Sequence, residues 1–536
     1  MSNELTQVTK DSARGGFFLF SGAALSTVIM AISAILIGRL LGPELYGQYN
    51  LVLVIPSLIL LFTDLGINVG IIKFVASLRA EGKAGRAVEL IRLCMYLKFG
   101  IGLVASILCA IFAGYFALII NRPDYGFYVQ LASISIIFQV IFTTANSAFV
   151  GLDKSEYNAL ATNVQAVTKT VLQIVLVLLS FNVTGALIGY VGGYVVASIL
   201  GSAVLFFKFL KPAKIHDVPY MEEGYKKTFT LLARYGLPVY VSVVLLGFLP
   251  IYQQVVLAFF ASDAVIGNFR AASNFVGLLA VIPISISAAL LPAFSKLESA
   301  TPKTVNTFFK RANKYTCLLI VPTTTLIILF STQIIQLVYG SVYSSAALFL
   351  SVGALVYFLV AIGSLSLSSL FNGLGKTRLT LNMAIINFVI LVALSPILAQ
   401  TSGVIGVIAA SLIAGTVASS YAAYVAKRRL KVNFDFKPTL RIYVISVLSA
   451  VPSLALLFFT SLNSTVILVF GALTYLFVFV TLMPLMRIVD EAEIKALRRV
   501  TVTIPLLGVL VNPVLIYQRK ILLWVGRYRE SSETEQ

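Results

Sequence analysis

Five polar residues recur along one apolar segment of this chain at a spacing typical of one face of an α-helix. Their spacings are 4, 3, 4 and 4 residues, and they are Asn158, Thr162, Gln165, Lys169 and Gln173. A lysine in the middle of an apolar segment is costly in lipid, so it persists where it faces water or a partner. Two interpretations stay open: a stripe that lines a water-filled cavity, or a seam between helices in which Lys169 pairs with an acid.

Three further polar residues in apolar segments are candidates for the same cavity. Arg270 and Asn274 are four residues apart and share a helix face, and we expect them to line it. Arg39 lies at the end of the first apolar segment, where it either lines the cavity or extends to lipid headgroups. A cavity with positive charges and amides suits an anionic headgroup that carries sugars.

Asp64 is the one acid well inside an apolar segment. An acid in lipid needs a partner or a bound cation. Asp64 therefore either forms a charge pair with a cation such as Lys169, or binds a coupling Na⁺ or H⁺.

The common catalytic and metal-binding residues are scarce. The chain has one histidine, His216, and three cysteines, Cys94, Cys109 and Cys317, with no spacing typical of a metal or redox motif. These counts leave no residues for histidine-based metal sites or for Ser-His and Cys-His catalysis. We therefore expect neither a catalytic residue nor a metal site.

The elements that position these residues are membrane-spanning helices. Of the 536 residues, 59% are hydrophobic and 11% are charged, whereas a soluble domain has about 25% charged residues. This composition excludes a cytosolic enzyme. Apolar runs of about 20 residues, the length that crosses a bilayer, predict an all-α polytopic membrane protein with fourteen spans. The spans are 16–38, 51–72, 93–116, 128–150, 159–181, 185–207, 236–260, 264–291, 315–338, 347–371, 379–398, 404–425, 440–459 and 466–486.

The basic residues fix the orientation of these spans. With the N-terminus inside, 37 of the 40 lysines and arginines are counted on the inner side. This count includes Lys169, which lies within a span. Only Arg39, Arg122 and Arg270 fall outside. Because basic residues concentrate in cytoplasmic loops, both termini are expected in the cytoplasm and the protein in the plasma membrane. The net charge of +19 then indicates topology and not a nucleic-acid partner.

The chain contains an internal repeat. Residues 35–50 align with 255–270 at an offset of 220, and 149–157 align with 371–379 at an offset of 222, which pairs Gln165 with Asn387. Six spans separate equivalent points, so two parallel six-helix lobes are expected around a central cavity. The predicted layout is an N-terminal lobe (1–207), a cytoplasmic linker (208–234), a C-terminal lobe (235–430), two additional spans (431–486) and a cytoplasmic tail (487–536).

The tail contains a candidate interfacial segment. The apolar stretch 504–516 is too short to cross a bilayer and contains Pro505 and Pro513. Trp524 follows, with Arg519 and Lys520 nearby. This mixture is typical of a segment that lies on the inner leaflet.

The motifs on these elements resemble those of a known family. GRLLGPELYGQY (38–49), DLGI (64–67), YGLPVYVS (235–242), LLPAFSKL (290–297) and LFNGLGKTR (370–378) occur in matching order. Over about residues 15–430 the chain resembles polysaccharide and lipid-linked oligosaccharide flippases of the multidrug/oligosaccharidyl-lipid/polysaccharide (MOP) exporter superfamily. Arg270 departs from this pattern, in which a small or uncharged residue is expected there.

The resemblance implies that the protein moves a polyprenyl-(pyro)phosphate-linked glycan between leaflets by alternating access. Lys169, Arg270 and Arg39 would bind phosphate, and Gln165, Gln173, Asn274 and Asn387 would line the sugar-binding part of the cavity. The implied partners are the lipid-linked glycan and membrane lipids, and glycan-assembly enzymes are compatible with the same role. No cofactor is expected, and a coupling Na⁺ or H⁺ stays open.

Two alternatives stay open. A cation-coupled multidrug exporter of the same superfamily would have twelve spans and an acid-lined pocket, which the fourteen predicted spans and basic interior disfavour. A membrane glycosyltransferase or glycan ligase would need acidic or histidine residues on large outer loops. Only Glu44, Asp124 and Asp263 are expected outside.

Overall fold

The computed structural model describes residues 2–211, 224–459, 463–491, 493–495, 498 and 505–534. Within these residues every regular element is a helix, which confirms the all-α prediction. His216 and most of the predicted linker lie outside the described residues.

The chain packs as two compact units, of which the first comprises Met1–Asn274 and Ser395–Val407. Its π-helical turns lie at Val177–Phe181 and Phe206–Leu210, and a short 3₁₀ turn lies at Pro123–Tyr125. Its helices are α1 (Ser2–Val52), α2 (Val54–Thr63), α3 (Ile67–Ala80), α4 (Ala84–Ile111), α5 (Ala113–Ile119), α6 (Gly126–Gly151), α7 (Ser155–Leu176), α8 (Asn182–Leu205), α9 (Gly224–Phe260) and most of α10 (Asp263–Leu279).

The second unit comprises Phe275–Leu394 and Ile408–Gln536. A 3₁₀ segment, Leu355–Ile362, joins two of its helices. The helices are α11 (Val281–Ser295), α12 (Pro302–Leu329), α13 (Ser331–Val338), α14 (Ala346–Ala354), α15 (Ser364–Gly373), α16 (Thr377–Leu430, whose middle belongs to the first unit), α17 (Phe436–Phe459), α18 (Ser464–Leu485) and α19 (Pro505–Thr534). The lobes inferred from the repeat stay a prediction.

Ten of the described helices are long and apolar enough to cross a membrane, or eleven if the bent pair Ala346–Ile362 and Ser364–Gly373 forms one span. The chain is therefore a multi-pass membrane protein. Three of the ten are interrupted by residues with positive φ, at Gly42 (73°), Ser180 (67°) and Gly403 (55°). Glycine adopts this backbone conformation readily, so Gly42 and Gly403 explain two of the breaks.

The helices of each unit meet in apolar cores. In the first unit α3, α4 and α6 bury a cluster around Ile71, Cys94 and Phe149. In the second unit α12, α17 and α18 bury Cys317 and Tyr475 among others. All three cysteines are buried and unbridged, and they pack as small apolar residues.

Two glycines of α8 bring this helix close to α7. A Cβ atom on Gly193 would lie 2.6 Å from Cβ of Lys169, and one on Gly189 would lie 2.5 Å from the backbone nitrogen of Gln173. Small residues four apart allow such close packing in membranes. The pair therefore fixes the backbone from which Lys169 and Gln173 project.

A second close crossing joins α1 to α10. A Cβ on Gly47 would lie 1.8 Å from the carbonyl oxygen of Asp263, and one on Gly267 would lie 1.8 Å from that of Pro43. These glycines are the pair that the sequence repeat makes equivalent, and they contact each other through their backbones. No side chain larger than hydrogen fits at either position without moving a helix.

Candidate functional site

A cavity of about 200 Å³ lies within the first unit. Six helices supply its walls, namely α1, α2, α7, α8, α9 and α10. The sequence-predicted residues Lys169, Gln173, Arg270 and Asn274 all line it. Residues almost 250 positions apart in the chain are thus brought to one space.

The cavity carries two cations and no acid among the described residues that line it. Lys169 and Arg270 are both half-buried. In the described part of the chain neither forms an ion pair, and the Lys169 amine lies 5.2 Å from the ring centroid of Tyr190. A ring face stabilises a nearby ammonium only modestly, by about 0.5–2 kcal/mol. The two cations therefore leave the cavity electropositive.

Tyrosines and amides form the rest of the polar wall. Tyr46 and Tyr49 stack with ring centroids 6.4 Å apart. Asn274 donates to the Tyr46 hydroxyl at 3.0 Å, and Gln173 donates to the Tyr49 hydroxyl at 2.8 Å. The hydrogen bonds of the amides thus fix the orientation of both rings.

Gln173 is held by three hydrogen bonds. Besides Tyr49, it donates to the carbonyl of Ala186 at 2.9 Å and accepts from the Ser33 hydroxyl at 3.2 Å. It is also buried. Little of its hydrogen-bonding capacity is left for a ligand. Gln173 therefore holds the cavity wall in place, one helical turn beyond Lys169.

Three sequence-predicted site residues lie outside this cavity. Arg39 is exposed on α1, shortly before the break at Gly42. Gln165 is buried, and neither amide atom has a partner in the described residues, an arrangement that ordered water commonly satisfies. Asn387 lies half-buried on α16 in the second unit.

Asp64 forms a charge pair, one of its two predicted roles, but its partner is Lys98 and not Lys169, the cation named as an example. The Lys98 amine donates to a carboxylate oxygen of Asp64 at 3.0 Å and to the Thr63 carbonyl at 2.9 Å. The Lys98 side chain is 1% exposed and that of Asp64 is 30% exposed. The chain is broken here, because Leu65 and Gly66 have positive φ. Lys98 thus binds the carbonyl end of α2, where a cation is favourable.

Sequence reasoning missed Lys98 because it counted this lysine with the inner loop charges. A signal was available: Lys98 lies five residues inside the predicted span 93–116. A second cation within apolar sequence made it as good a candidate for Asp64 as Lys169.

An ion-pair cluster, which we call the latch, joins the segment before α6 to the first turn of α10. Arg122 donates to the Asp263 carboxylate at 2.8 Å and to the carbonyls of Ala258 and Ala261 at 3.1 and 2.9 Å. The Tyr125 hydroxyl bonds the same carboxylate. The Arg122 side chain is 20% exposed and that of Asp263 14%. This cluster adjoins the Gly47–Gly267 crossing, because the backbone carbonyl of Asp263 lies against Gly47.

Sequence comparison assigns the chain to a family. Residues 12–298 match the family described as polysaccharide biosynthesis protein. The chain belongs to this family. No curated protein matches it significantly in sequence.

Solved structures show the fold that this member of the polysaccharide biosynthesis protein family shares. The lipid II flippase MurJ, in an inward closed conformation, is 20% identical with a TM-score of 0.66, over 87% of this chain and 99% of that one. An inward-facing multidrug resistance MATE family transporter of the MOP superfamily is 17% identical with a TM-score of 0.65, over 77% and 98%. A mutant of the Vibrio cholerae MATE transporter VcmN is 16% identical with a TM-score of 0.53, over 79% and 98%.

The family and the shared fold agree with the resemblance seen in the sequence motifs. The chain has the fold of membrane flippases and exporters of the MOP superfamily. The solved structures that share this fold are those of a flippase and of transporters, in line with the prediction of a transporter.

The Asp64–Lys98 pair gives a prediction for stability. Replacing Lys98 by Met, or Asp64 by Asn, leaves one charge without its partner, and we expect each change to lower the free energy of unfolding by about 3 kcal/mol. The double variant removes both charges, so it should lower the free energy of unfolding by less than the two single changes added together. A double-mutant cycle on unfolding in detergent measures this coupling.

The exposed pair Arg79–Asp153, at 2.8 Å, is the matched control. Its coupling energy should be about 1 kcal/mol or less. A coupling for Asp64–Lys98 as small as that of the control would contradict the interpretation of a structural pair.

Proposed function

We propose that the protein translocates a polyprenyl-(pyro)phosphate-linked oligosaccharide from the cytoplasmic to the outer leaflet. The observation that carries the proposal is the pair Lys169 and Arg270, which face one polar cavity without an acid among its described lining residues. The chain's membership in the polysaccharide biosynthesis family supports a glycan as part of the substrate.

The electrostatics of the cavity favour an anionic ligand. Each charge inside a membrane costs at least about 2.5–3.5 kcal/mol on insertion scales. A phosphate or diphosphate near Lys169 and Arg270 would offset this cost through charge-assisted hydrogen bonds. A cationic ligand would be repelled by both residues.

The remaining lining groups suit sugar hydroxyls. Ser57 and Gln254 face the cavity, and hydroxyl and amide groups both donate and accept hydrogen bonds. The Tyr46 and Tyr49 rings add surfaces with one polar edge. The polyprenyl tail would stay in lipid while the headgroup crosses. Arg39, Gln165 and Asn387 have no contact role in this cavity.

We also propose fourteen crossings with both termini in the cytoplasm. The breaks at Gly42, Ser180 and Gly403 divide three of the ten long helices into two spans each. The bent pair around Gly363 adds one more. The total is fourteen, and the distribution of basic residues supports the orientation.

Transport would follow alternating access between the two lobes predicted from the repeat. In the proposed topology the latch of Arg122, Tyr125 and Asp263 lies at the outer end of the cavity. The outward-facing state would require this latch to open. Coupling to Na⁺ or H⁺ stays a prediction; Asp64, the acid considered for it, is occupied by Lys98 in this structure.

A second candidate function is cation-coupled export of drugs or other small molecules, for which an organic cation is a test substrate. The fold shared with a multidrug resistance MATE transporter at a TM-score of 0.65 favours it. The two cations that line the cavity oppose it. Transport of the two substrate classes separates the candidates directly.

Replacing Lys169 or Arg270 by Ala should abolish most headgroup translocation. Loss of one charge-assisted contact of about 1.5–3 kcal/mol corresponds to a roughly 10- to 100-fold decrease in affinity. Flipping of a fluorescent polyprenyl-diphosphate oligosaccharide in proteoliposomes measures the effect. Lys169→Arg, which keeps the charge, should retain part of the activity.

Lys303→Ala is the matched control, because Lys303 is exposed at the start of α12, in the second unit. It should flip the probe at the normal rate. Normal flipping by both Lys169→Ala and Arg270→Ala would refute the proposed site. Active export of an organic cation by the unmodified protein, without glycan flipping, would favour the second candidate.

Arg122→Ala should open the outer end of the cavity more often. The substitution removes contacts to Asp263 and to two carbonyls, which are worth about 1.5–3 kcal/mol for charged groups. We therefore expect a Ser57→Cys reporter inside the cavity to react at least about tenfold faster with a membrane-impermeant thiol reagent added outside. The native cysteines are buried, which keeps the background low.

Arg79→Ala serves as the control for the latch, because it breaks the exposed pair with Asp153. It should leave the labelling rate of the reporter unchanged. Equal labelling in the Arg122→Ala and Arg79→Ala variants would remove the latch from the transport cycle.

A further inference from the structure

We infer that α19, with the adjoining ends of α17 and α18, forms a binding surface for anionic phospholipid headgroups. We call it the basal surface; its members are Phe436, Lys437, Leu440, Arg441, Met486, Arg487, Arg519, Lys520 and Trp524. The inference does not depend on the transported substrate.

One face of α19 packs on the second unit. Leu515 and Gln518 are buried, and the Gln518 amide donates to the Val480 carbonyl at 3.3 Å. The Tyr517 hydroxyl lies 3.0 Å from that of Thr481. Pro513 lies inside the helix, so the predicted stretch 504–516 is part of a longer element and Pro513 does not end it.

A different face of α19 is apolar and exposed. Val509, Ile516 and Leu523 recur every seven residues, which places them in one stripe about 130° from the packed face. Val509 is 75% exposed, and Trp524, beside the stripe, is 66% exposed. A helix that buries one face in protein and still exposes apolar side chains needs an apolar environment for the second face.

Basic residues accompany this apolar face. Lys520 lies on the same side of α19 as Trp524 and is exposed, as is Arg519. The nearby acid Glu491 already has basic partners: it pairs with Lys495 at 3.0 Å and approaches Arg519 at 3.8 Å. Lys520 is thus available to an anion.

The neighbouring ends of α17 and α18 also combine exposed apolar and basic side chains. At the start of α17, Phe436 and Leu440 are 59% and 65% exposed beside the exposed Lys437 and Arg441. Arg441 reaches the carbonyl of Met486 at 3.4 Å, next to the exposed Arg487. The basic and apolar residues of α17 and α18 therefore meet at one place.

The segment between α18 and α19 is tied to the second unit. Glu493 accepts from the Lys314 amine at 2.7 Å and from the Tyr315 hydroxyl at 3.0 Å, and the Lys314 and Glu493 side chains are both largely buried. This anchor holds the chain against α12 ahead of α19. The contacts of Tyr517 and Gln518 hold α19 itself against α18.

Exposed apolar residues, a tryptophan and interleaved bases match the headgroup region of an anionic leaflet. Interfacial helices insert their apolar face at the boundary of headgroup and acyl chain and place bases against anionic lipid. Tryptophan is enriched at this depth. α19 is not among the described helices apolar enough to cross, which favours a position along the membrane surface.

The chain contains a single tryptophan, so its fluorescence reports on the basal surface alone. The full-length protein is placed in nanodiscs of phosphatidylcholine with or without phosphatidylglycerol. Some of the lipid carries bromine near the headgroup or near the bilayer centre. With anionic lipid we expect a blue shift of Trp524 emission and the largest loss of intensity from the shallow bromines.

The double variant Arg519→Gln/Lys520→Gln should lose the dependence on phosphatidylglycerol while unfolding at the same temperature. Lys303→Gln/Lys310→Gln, on α12, is the control and should keep it. Emission that is the same with and without phosphatidylglycerol would overturn the inference. So would stronger quenching by the deep bromines, because α19 would then cross the membrane.

Discussion

The constraint on which the structure depends is the confinement of two cations in a membrane protein cavity without an acid to pair with them. Lys169 and Arg270 come from helices about 100 residues apart and face the same space. Such an arrangement is unfavourable when empty, because each charge loses part of its hydration. It becomes favourable when an anion enters. In the proposed function, a phosphate-bearing ligand supplies this anion, and the wall residues hold the two cations in position for it.

Glycines and hydrogen bonds hold this arrangement in place. Gly193 lets α8 approach the backbone of Lys169, and the Gly47–Gly267 contact fixes α10, which carries Arg270. Gln173 ties α7 to α1 and α8 at the same level. By contrast, Lys98 has an ionic partner: it pairs with Asp64 at a helix break and does not line the cavity. The Asp64–Lys98 pair thus stabilises the fold, whereas Lys169 and Arg270 stay available to a ligand.

Much of this was predictable from the sequence, because apolar length and the helical period of polar residues act locally. The stripe through Lys169 and Gln173 and the position of Arg270 and Asn274 predicted four residues that line the cavity. Which charged residues form ion pairs with each other was not predictable, because this depends on which helices pack together. Asp64 pairs with Lys98, across 34 residues, and Arg122 reaches Asp263 across 141. Gln165 shares the stripe yet does not line the cavity, since the stripe predicts a helix face but not which turns of that face border the cavity.

The most direct test of this account is calorimetric binding of inorganic diphosphate to the purified protein and to the double variant Lys169→Gln/Arg270→Gln. The account predicts saturable binding by the unmodified protein that weakens as salt screens the charges, and no measurable binding by the double variant. Equal binding by both proteins, or none by either, would contradict the claim that these two cations form an anion site.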